Sequence, residues 1–253
     1  MTEPSQINFE QLKITCAKCT LRELCIPCGM DDAALEKIEE IVDRKKPVHK
    51  NDYLFRAGDS NASLYAVLSG SVKTLVDNPN GDEQIVGFHL PGELIGLDGF
   101  QNNAHTCSAV ALETSSVCEF PIVDLDAICM HVPELQQSMR RLMSREVAND
   151  HAMLLLLGRM SADEKLASFL VSLSRRMEQR HWKKTEFNLS MPRQDIANYL
   201  GLAVETVSRL FAHFQETGLI NVDRRRINIL DLDRLRNIVS GGKGDEARTS
   251  VAK

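Results

Sequence analysis

The sequence predicts an α+β chain: a strand-rich front half, one long helix, and a helix-turn-helix followed by a two-stranded wing. Three observations carry this. Over residues 46–126, short apolar runs such as "SLYAVLSGSVKTLV", "EQIVGFHL" and "SSVCEFPI" alternate with the turn signals "AGDSNAS", "NPNGDE" and "LPGE", the spacing of a sandwich or barrel. Pro133 suits the first turn of a helix, and nothing interrupts the helical pattern until Gly158, giving about 26 residues and roughly 39 Å. The stretch "RQDIANYLGLAVETVSRLFAHFQETGLI" has the apolar spacing and the glycine of two helices crossing at a tight turn. The expected division is an N-terminal segment over 1–29, a β-domain over 30–132, the long helix over 133–160, the helix-turn-helix domain over 161–240, and a tail over 241–253 whose linker composition predicts disorder.

Length and charge set the bounds. A chain of 253 residues has room for a large core without disulfide staples. The first ten residues lack a secretory signature, and the longest apolar run, 152–157, is far too short for a membrane span, so the expected location is the cytoplasm, without a membrane partner. Through residue 157 there are thirteen Lys and Arg against twenty-three Asp and Glu; after it, seventeen against twelve. An acidic front and a basic back point to different partners, nucleic acid being the candidate for the basic half. No G-x-S-x-G, H-E-x-x-H or phosphate loop is present, so the sequence points away from an enzyme.

Four of the seven cysteines crowd into "TCAKCTLRELCIPCG". In a reducing cytosol such crowding favours metal ligation or redox chemistry over disulfides. Cys16, Cys19 and Cys25 follow C-x2-C-x5-C, compact enough for three thiolates around one iron–sulfur cluster with a remote fourth. With Cys28 the pattern extends to C-x2-C-x5-C-x2-C, which a structural zinc could also use.

On the long helix, Met139, Met143, Val147, Leu154 and Leu157 keep the spacing of a coiled-coil seam, and Asp150 takes the position between Val147 and Leu154. One reading packs this helix on its own β-domain with Asp150 in water. The other makes it a homodimer helix, the switch residues being Met143, Val147, Asp150 and Leu154, with two facing carboxylates holding the dimer near its threshold.

Within the helix-turn-helix, Ile196, Leu200, Leu202, Val207 and Leu210 supply apolar contacts, Ala197 is small where the helices cross, and Gly201 makes the turn. The second helix, starting near Val204, projects Glu205, Thr206, Ser208 and Arg209, which have the reach and chemistry to read base edges in double-stranded DNA. Arg224, Arg225 and Arg226 are expected at the wing tip, facing phosphates. One subunit reads few base pairs, so two would read a palindrome.

The order of these parts resembles the cyclic-AMP receptor superfamily of transcription regulators over nearly the whole chain, which implies that the β-domain is a cyclic-nucleotide-binding-like β-roll. "PGELIG" at 91–96 is similar to the start of that family's nucleotide pocket. Where the family needs an Arg followed by a hydroxyl residue, this chain has His105 and Thr106; an imidazole is a poor substitute for a fixed guanidinium, so no cyclic nucleotide is expected. The stretches "CxxCxxxxxCIP", "RKKPVHK", "GDEQIVGFHL", "ALETSSVCE", "RLMSRE" and "NYLGLAVETVSRL" resemble the FNR branch, the bacterial oxygen-responsive regulators.

That resemblance implies a [4Fe–4S] cluster held by Cys16, Cys19, Cys25 and Cys118, which favours the dimer and is degraded by oxygen to a [2Fe–2S] form that releases the subunits and the DNA. It implies that Glu205, Ser208 and Arg209 read a TTGAT-type half-site, and that the loop Asn80, Gly81, Asp82, Glu83 and Gln84 touches RNA polymerase. Cys107 and Cys129 match no ligand position. Cys28 departs from the family pattern and leaves a zinc-stabilised factor without oxygen sensing as the alternative, beside one of the cyclic-nucleotide type.

Overall fold

The computed structural model describes residues 15–44, 47–77 and 81–241. Asn80 and the tail beyond residue 241 lie outside the described residues. The first described segment winds through single 3-10 turns at Cys16–Lys18 and Arg22–Leu24 and then enters helix α1 (Asp32–Ile41). Asp31 caps that helix by accepting the Ala34 N–H.

The β-domain is two four-stranded antiparallel sheets. The first, in spatial order, holds β1 (Asp43–Arg44), β8 (Ser116–Pro121), β3 (Ser63–Ser69) and β6 (Leu94–Ile95). The second holds β2 (Tyr53–Phe55), β7 (Ser108–Ala111), β4 (Val72–Asp77) and β5 (Glu83–His89). Strands β3 and β8 bury neighbouring residues on opposite faces, Ala66 with Val67 and Val117 with Cys118, so the first sheet is covered on both sides. The sequence pattern located the longer strands and missed the two-residue ones, β1 and β6, together with α1 and the helix α2 (Ile122–Cys129).

Helix α3 (Pro133–Arg159) carries two apolar stripes. Leu135 and Leu142 are buried against the β-domain, while Met143, Val147, Leu154 and Leu157 are exposed. Met139, the first residue of the expected seam, is half-buried and packs on the β-domain core; from Met143 onward the seam residues lie on a different face from the packed one, and Asp150 lies on that exposed face. Helix α4 (Ala162–Gln179) opens with a capping box between Ser161 and Glu164. There follow β9 (Glu186–Asn188), α5 (Arg193–Leu200), α6 (Val204–Glu216), β10 (Ile220–Asp223), β11 (Arg226–Ile229) and α7 (Leu232–Val239). The wing has three strands, in the order β10, β11, β9, rather than two.

The C-terminal domain rests directly on the second sheet. Leu75, Ile85, Phe88 and Leu90 share one apolar core with Phe169 of α4 and Ile196 of α5, and the Phe88 and Tyr199 rings stand 4.9 Å apart. Polar bonds fix the register. Lys73 pairs with Asp195 at 2.9 Å. Asn198 accepts the Ile85 N–H at 2.6 Å and donates to the Glu83 carbonyl at 2.7 Å. The turn before β6 is gripped hardest: Arg180 donates to the Pro91 carbonyl and to the Glu93 carboxylate, both at 2.7 Å, and Arg176 holds the same carboxylate.

Burial by itself would raise the Glu93 carboxyl, but Arg176 and Arg180 outweigh it and hold it at about 2. Its folded value lies below the unfolded one, so its contribution is complete above pH 4.5 and is lost as pH falls toward about 2. Replacing Glu93 by Gln leaves two mostly buried guanidinium groups without a counter-charge, and the expected loss is about 3 kcal/mol in urea unfolding at neutral pH; the gap between variant and wild type should narrow below pH 4.5 and close only as pH reaches about 2.

Candidate cysteine centre and DNA-reading face

The cysteine segment is a staircase of tight turns. Backbone N–H groups of Cys19, Arg22, Cys25 and Cys28 each donate to the carbonyl three residues back, at 3.2–3.3 Å. Every cysteine of the segment thus stands at a turn corner, which is why the spacing runs in multiples of three. The segment is moored at several points. Glu39 of α1 accepts the Cys16 N–H at 2.8 Å. From α3, Ser138 donates to the Ile26 carbonyl at 2.7 Å and Arg145 reaches the Leu24 carbonyl at 3.4 Å. Gly92, at φ 88°, lies so close to the segment that an added Cβ would meet the Leu24 Cβ at 3.0 Å.

Cys16, Cys19, Cys25 and Cys118 line a single cavity of about 30 Å³ between this segment and the first sheet. Cys118 comes from the middle of β8, opposite Ala66 of β3, so 93 residues of chain separate it from Cys25. Burial pushes the Cys25 thiol far above its usual range; the Ile26 N–H pulls the other way, and the sulfurs of Cys118, Cys16 and Cys19 raise it further. Four sulfurs on one cavity, with the Cys25 thiol held protonated by burial and its neighbours, are a donor set that a cation would stabilise, since a coordinated thiol loses its proton. Among the described residues no group of three or more His, Cys, Asp or Glu side chains is drawn closely enough together to hold a metal ion as it stands.

Cys28 is buried but turns elsewhere: its thiol donates to the Glu23 carboxylate at 3.5 Å, and it does not line the cavity. Cys107 precedes β7 in a separate apolar cluster, and Cys129 ends α2.

The helix-turn-helix is α5 and α6. Gly201 is in the left-handed region at φ 61°, and the Leu202 N–H returns to the Ala197 carbonyl at 2.9 Å, closing the turn as glycine permits. Helix α6 buries Val207, Leu210, Phe211 and Phe214. On its other side Glu205, Ser208 and Arg209 are exposed and Thr206 is half-exposed. At rest the Ser208 hydroxyl donates to the Val204 carbonyl at 2.9 Å, and Arg209 donates to the Thr206 hydroxyl at 3.4 Å. Arg193 stacks over the Phe211 ring, its guanidinium carbon 3.4 Å from the ring centre.

In the wing, Arg224 and Arg225 form the β10–β11 turn, with Arg224 at φ 54°. Arg226 is a correction to the expected basic tip: it lies within β11, and its guanidinium is tied to the Glu186 carboxylate.

The loop expected to meet polymerase is exposed at Gly81, Asp82, Glu83 and Gln84, but its base is engaged. Gln84 donates to the Asn198 carbonyl at 2.8 Å, so this hairpin also braces the first helix of the helix-turn-helix. Sequence reasoning missed that brace, as it missed Glu93, Arg176 and Arg180; neither their type nor their spacing signals a partner so distant along the chain.

Residues 164–238 match the family model of the Crp-like helix-turn-helix domain, and residues 45–132 match that of the cyclic nucleotide-binding domain. The chain is 44% identical over 241 residues to the transcriptional activator protein Anr of Pseudomonas protegens, covering 95% of this chain and 98% of that one. It is 46% identical over 225 residues to the fumarate and nitrate reduction regulatory protein of Escherichia coli, covering 89% and 90%. Among solved structures, FixK2 from Bradyrhizobium japonicum superimposes with a TM-score of 0.72 at 27% identity, covering 78% of this chain and 97% of that one. These relatives are regulators rather than enzymes, and among the described residues no helix is long and apolar enough to cross a membrane. With an Anr relative matched over nearly its full length, a Crp-like reading head and the β-domain of the superfamily, the chain belongs to the Crp/FNR family of transcription regulators, in its FNR/Anr branch.

Proposed function

We propose that the chain is an oxygen-responsive transcription regulator of anaerobic genes, in which Cys16, Cys19, Cys25 and Cys118 hold a [4Fe–4S] cluster that favours homodimerisation and DNA binding. The observation that carries this reading is the shared cavity, which brings one thiol from the β-roll to three from the N-terminal segment. The relatives support it in kind; one from Haemophilus influenzae, 44% identical over 230 residues, is named an anaerobic regulatory protein. The orientation of Cys28 toward Glu23 favours Cys118 as the fourth ligand and weighs against a compact four-cysteine zinc site. When bound, the cluster supplies an oxygen-labile core of iron and sulfide.

The chain's own residues carry the consequence outward. Ser138 and Arg145 fasten the cysteine segment to α3, so the order of that segment bears on the helix whose exposed stripe would form the dimer. Burying Met143, Val147, Leu154 or Leu157 contributes about 1.5–3 kcal/mol each when burial is complete. Two Asp150 carboxylates brought together across a dyad oppose this by about 1–4 kcal/mol, depending on how much water remains. The repulsion is comparable to the burial of one such side chain, so it weakens the dimer and leaves the equilibrium sensitive to how α3 is supported. On the DNA, Glu205, Thr206, Ser208 and Arg209 read a TTGAT-type half-site repeated as a palindrome, while Gly81, Asp82, Glu83 and Gln84, with Asn80, offer the surface for RNA polymerase.

Anaerobic purification tests the assignment. Cys118→Ser is expected to lose most of the bound iron, sulfide and visible absorption, and Cys28→Ser to keep them; the reverse pattern would transfer the fourth ligand to Cys28, and a colourless wild type containing zinc would overturn the reading. Sedimentation in air checks the seam: Asp150→Ala should raise the dimer fraction, and an unchanged fraction would remove Asp150 from the switch. Arg209→Ala should cost about 1–3 kcal/mol at the guanine it reads, measured as a loss of discrimination among half-site variants. Equal weakening on every sequence would reduce Arg209 to a phosphate contact.

A further inference from the structure

The walls of the cysteine cavity are carbon and sulfur with one exception. Arg22 lines it together with Cys16, Cys19, Cys25 and Cys118, and among the described residues it is the one charged side chain that does so. The tight turns put it there: the Arg22 N–H donates to the Cys19 carbonyl at 3.2 Å, and its own carbonyl accepts the Cys25 N–H at 3.3 Å. Its backbone is thus bonded to a candidate ligand on either side, and the staircase that sets those two cysteines sets Arg22 as well.

The guanidinium is anchored at one end and unmet at the other. Nη2 donates to the Met30 carbonyl at 3.2 Å. Nε is buried and has no hydrogen-bond partner among the described residues. The Glu23 carboxylate stands 3.8 Å from it, beyond hydrogen-bond reach; that side chain is 71% exposed, so water screens its charge, and its other oxygen accepts the Cys28 thiol. A buried donor left unmet is costly, more so on a cation, and native structures carry one where a water, an ion or a ligand meets it. Walls of carbon and sulfur offer a water few of the roughly two to four polar partners it needs. Negatively charged sulfur, by contrast, suits a charged N–H donor.

We propose that Arg22 is the charge partner of the cysteine centre, its Nε–H held for a negatively charged sulfur there, and that it sets how readily the centre gives up an electron. This rests on the cluster assignment proposed above and adds to it a residue that is not a ligand. An iron–sulfur centre with four thiolates carries net negative charge, and its potential follows that charge and the hydrogen bonds its sulfurs accept. A guanidinium fixed beside it draws electron density away and raises the potential. Arg22 therefore slows oxidation of the centre by oxygen.

The test prepares wild type, Arg22→Gln and Arg22→Lys anaerobically with iron and sulfide, follows the loss of visible absorption in air-saturated buffer, and measures the midpoint potential of the bound centre by mediated titration. Arg22→Gln should bleach about tenfold faster and show a lower midpoint; Arg22→Lys, which keeps the charge, should lie between it and wild type on both readouts. Bleaching of Arg22→Gln at the wild-type rate or slower overturns the proposal and leaves the cluster assignment standing. Faster bleaching at an unchanged midpoint also overturns it, since the side chain is then only a screen against oxygen. A wild type without iron and sulfide removes the cluster assignment and this proposal with it. Should neither variant load, melting of the iron-free proteins decides. Melting equal to wild type supports a guanidinium that the bound centre requires; lower melting makes Arg22 a staple of the segment and overturns the proposal.

Discussion

The grip of Arg176 and Arg180 on the turn at Pro91 and Glu93 is the constraint on which the rest of the subunit depends. One side of that turn touches the cysteine segment at Leu24 through Gly92; the other side is bonded to α4, the first helix of the DNA-reading domain. A carboxylate with two guanidinium partners compensates its desolvation only while both remain in place. The turn therefore has few intermediate positions, and the two domains that meet at it are held in one register. Asp195 and Asn198 add further fastenings along the second sheet, at Lys73 of β4 and Ile85 of β5.

Cooperation between apolar and polar contacts sets the geometry of the reading face. Phe88, Phe169 and Tyr199 fill the space between sheet and helices, and burial of this kind is strong but indifferent to direction. The hydrogen bonds of Asn198 and the ion pair of Lys73 supply direction, so α5, and with it α6 through the turn at Gly201, is presented at a defined angle to the β-roll. The side chains proposed to read bases would then need only small changes to engage DNA, since Arg209 rests on a neighbouring hydroxyl in the same helix.

Local signals in the sequence were a good guide to whatever is local in the structure. Gly201 declared the turn because only glycine takes that conformation at no steric cost, and the apolar spacing of α6 declared its buried side. Pro133 placed the start of α3 to the residue. Most of the longer strands were legible from alternation and turns, whereas β1 and β6, two residues each, and β9, three, are too short to show a period. The cysteine spacing marked out a candidate site, but nothing in the sequence pattern tells a thiol that faces a cavity from one that faces Glu23. That Cys118 lines one cavity with the N-terminal trio is a property of the sheet register, and the Glu93 clamp and the Asn198 brace likewise join residues whose separation along the chain hides their contact.

The two stripes of α3 have a bearing on the life of the protein after a signal has passed. Leu135 and Leu142 stay packed on the β-domain, and Leu156 on the DNA-reading domain, whichever way the outer stripe faces, so parting of two subunits exposes Met143 and Val147 without opening either core. On the function proposed above, a subunit released from DNA would thus be a finished, folded unit, and supplying its cofactor again would return it to service without synthesis of a replacement.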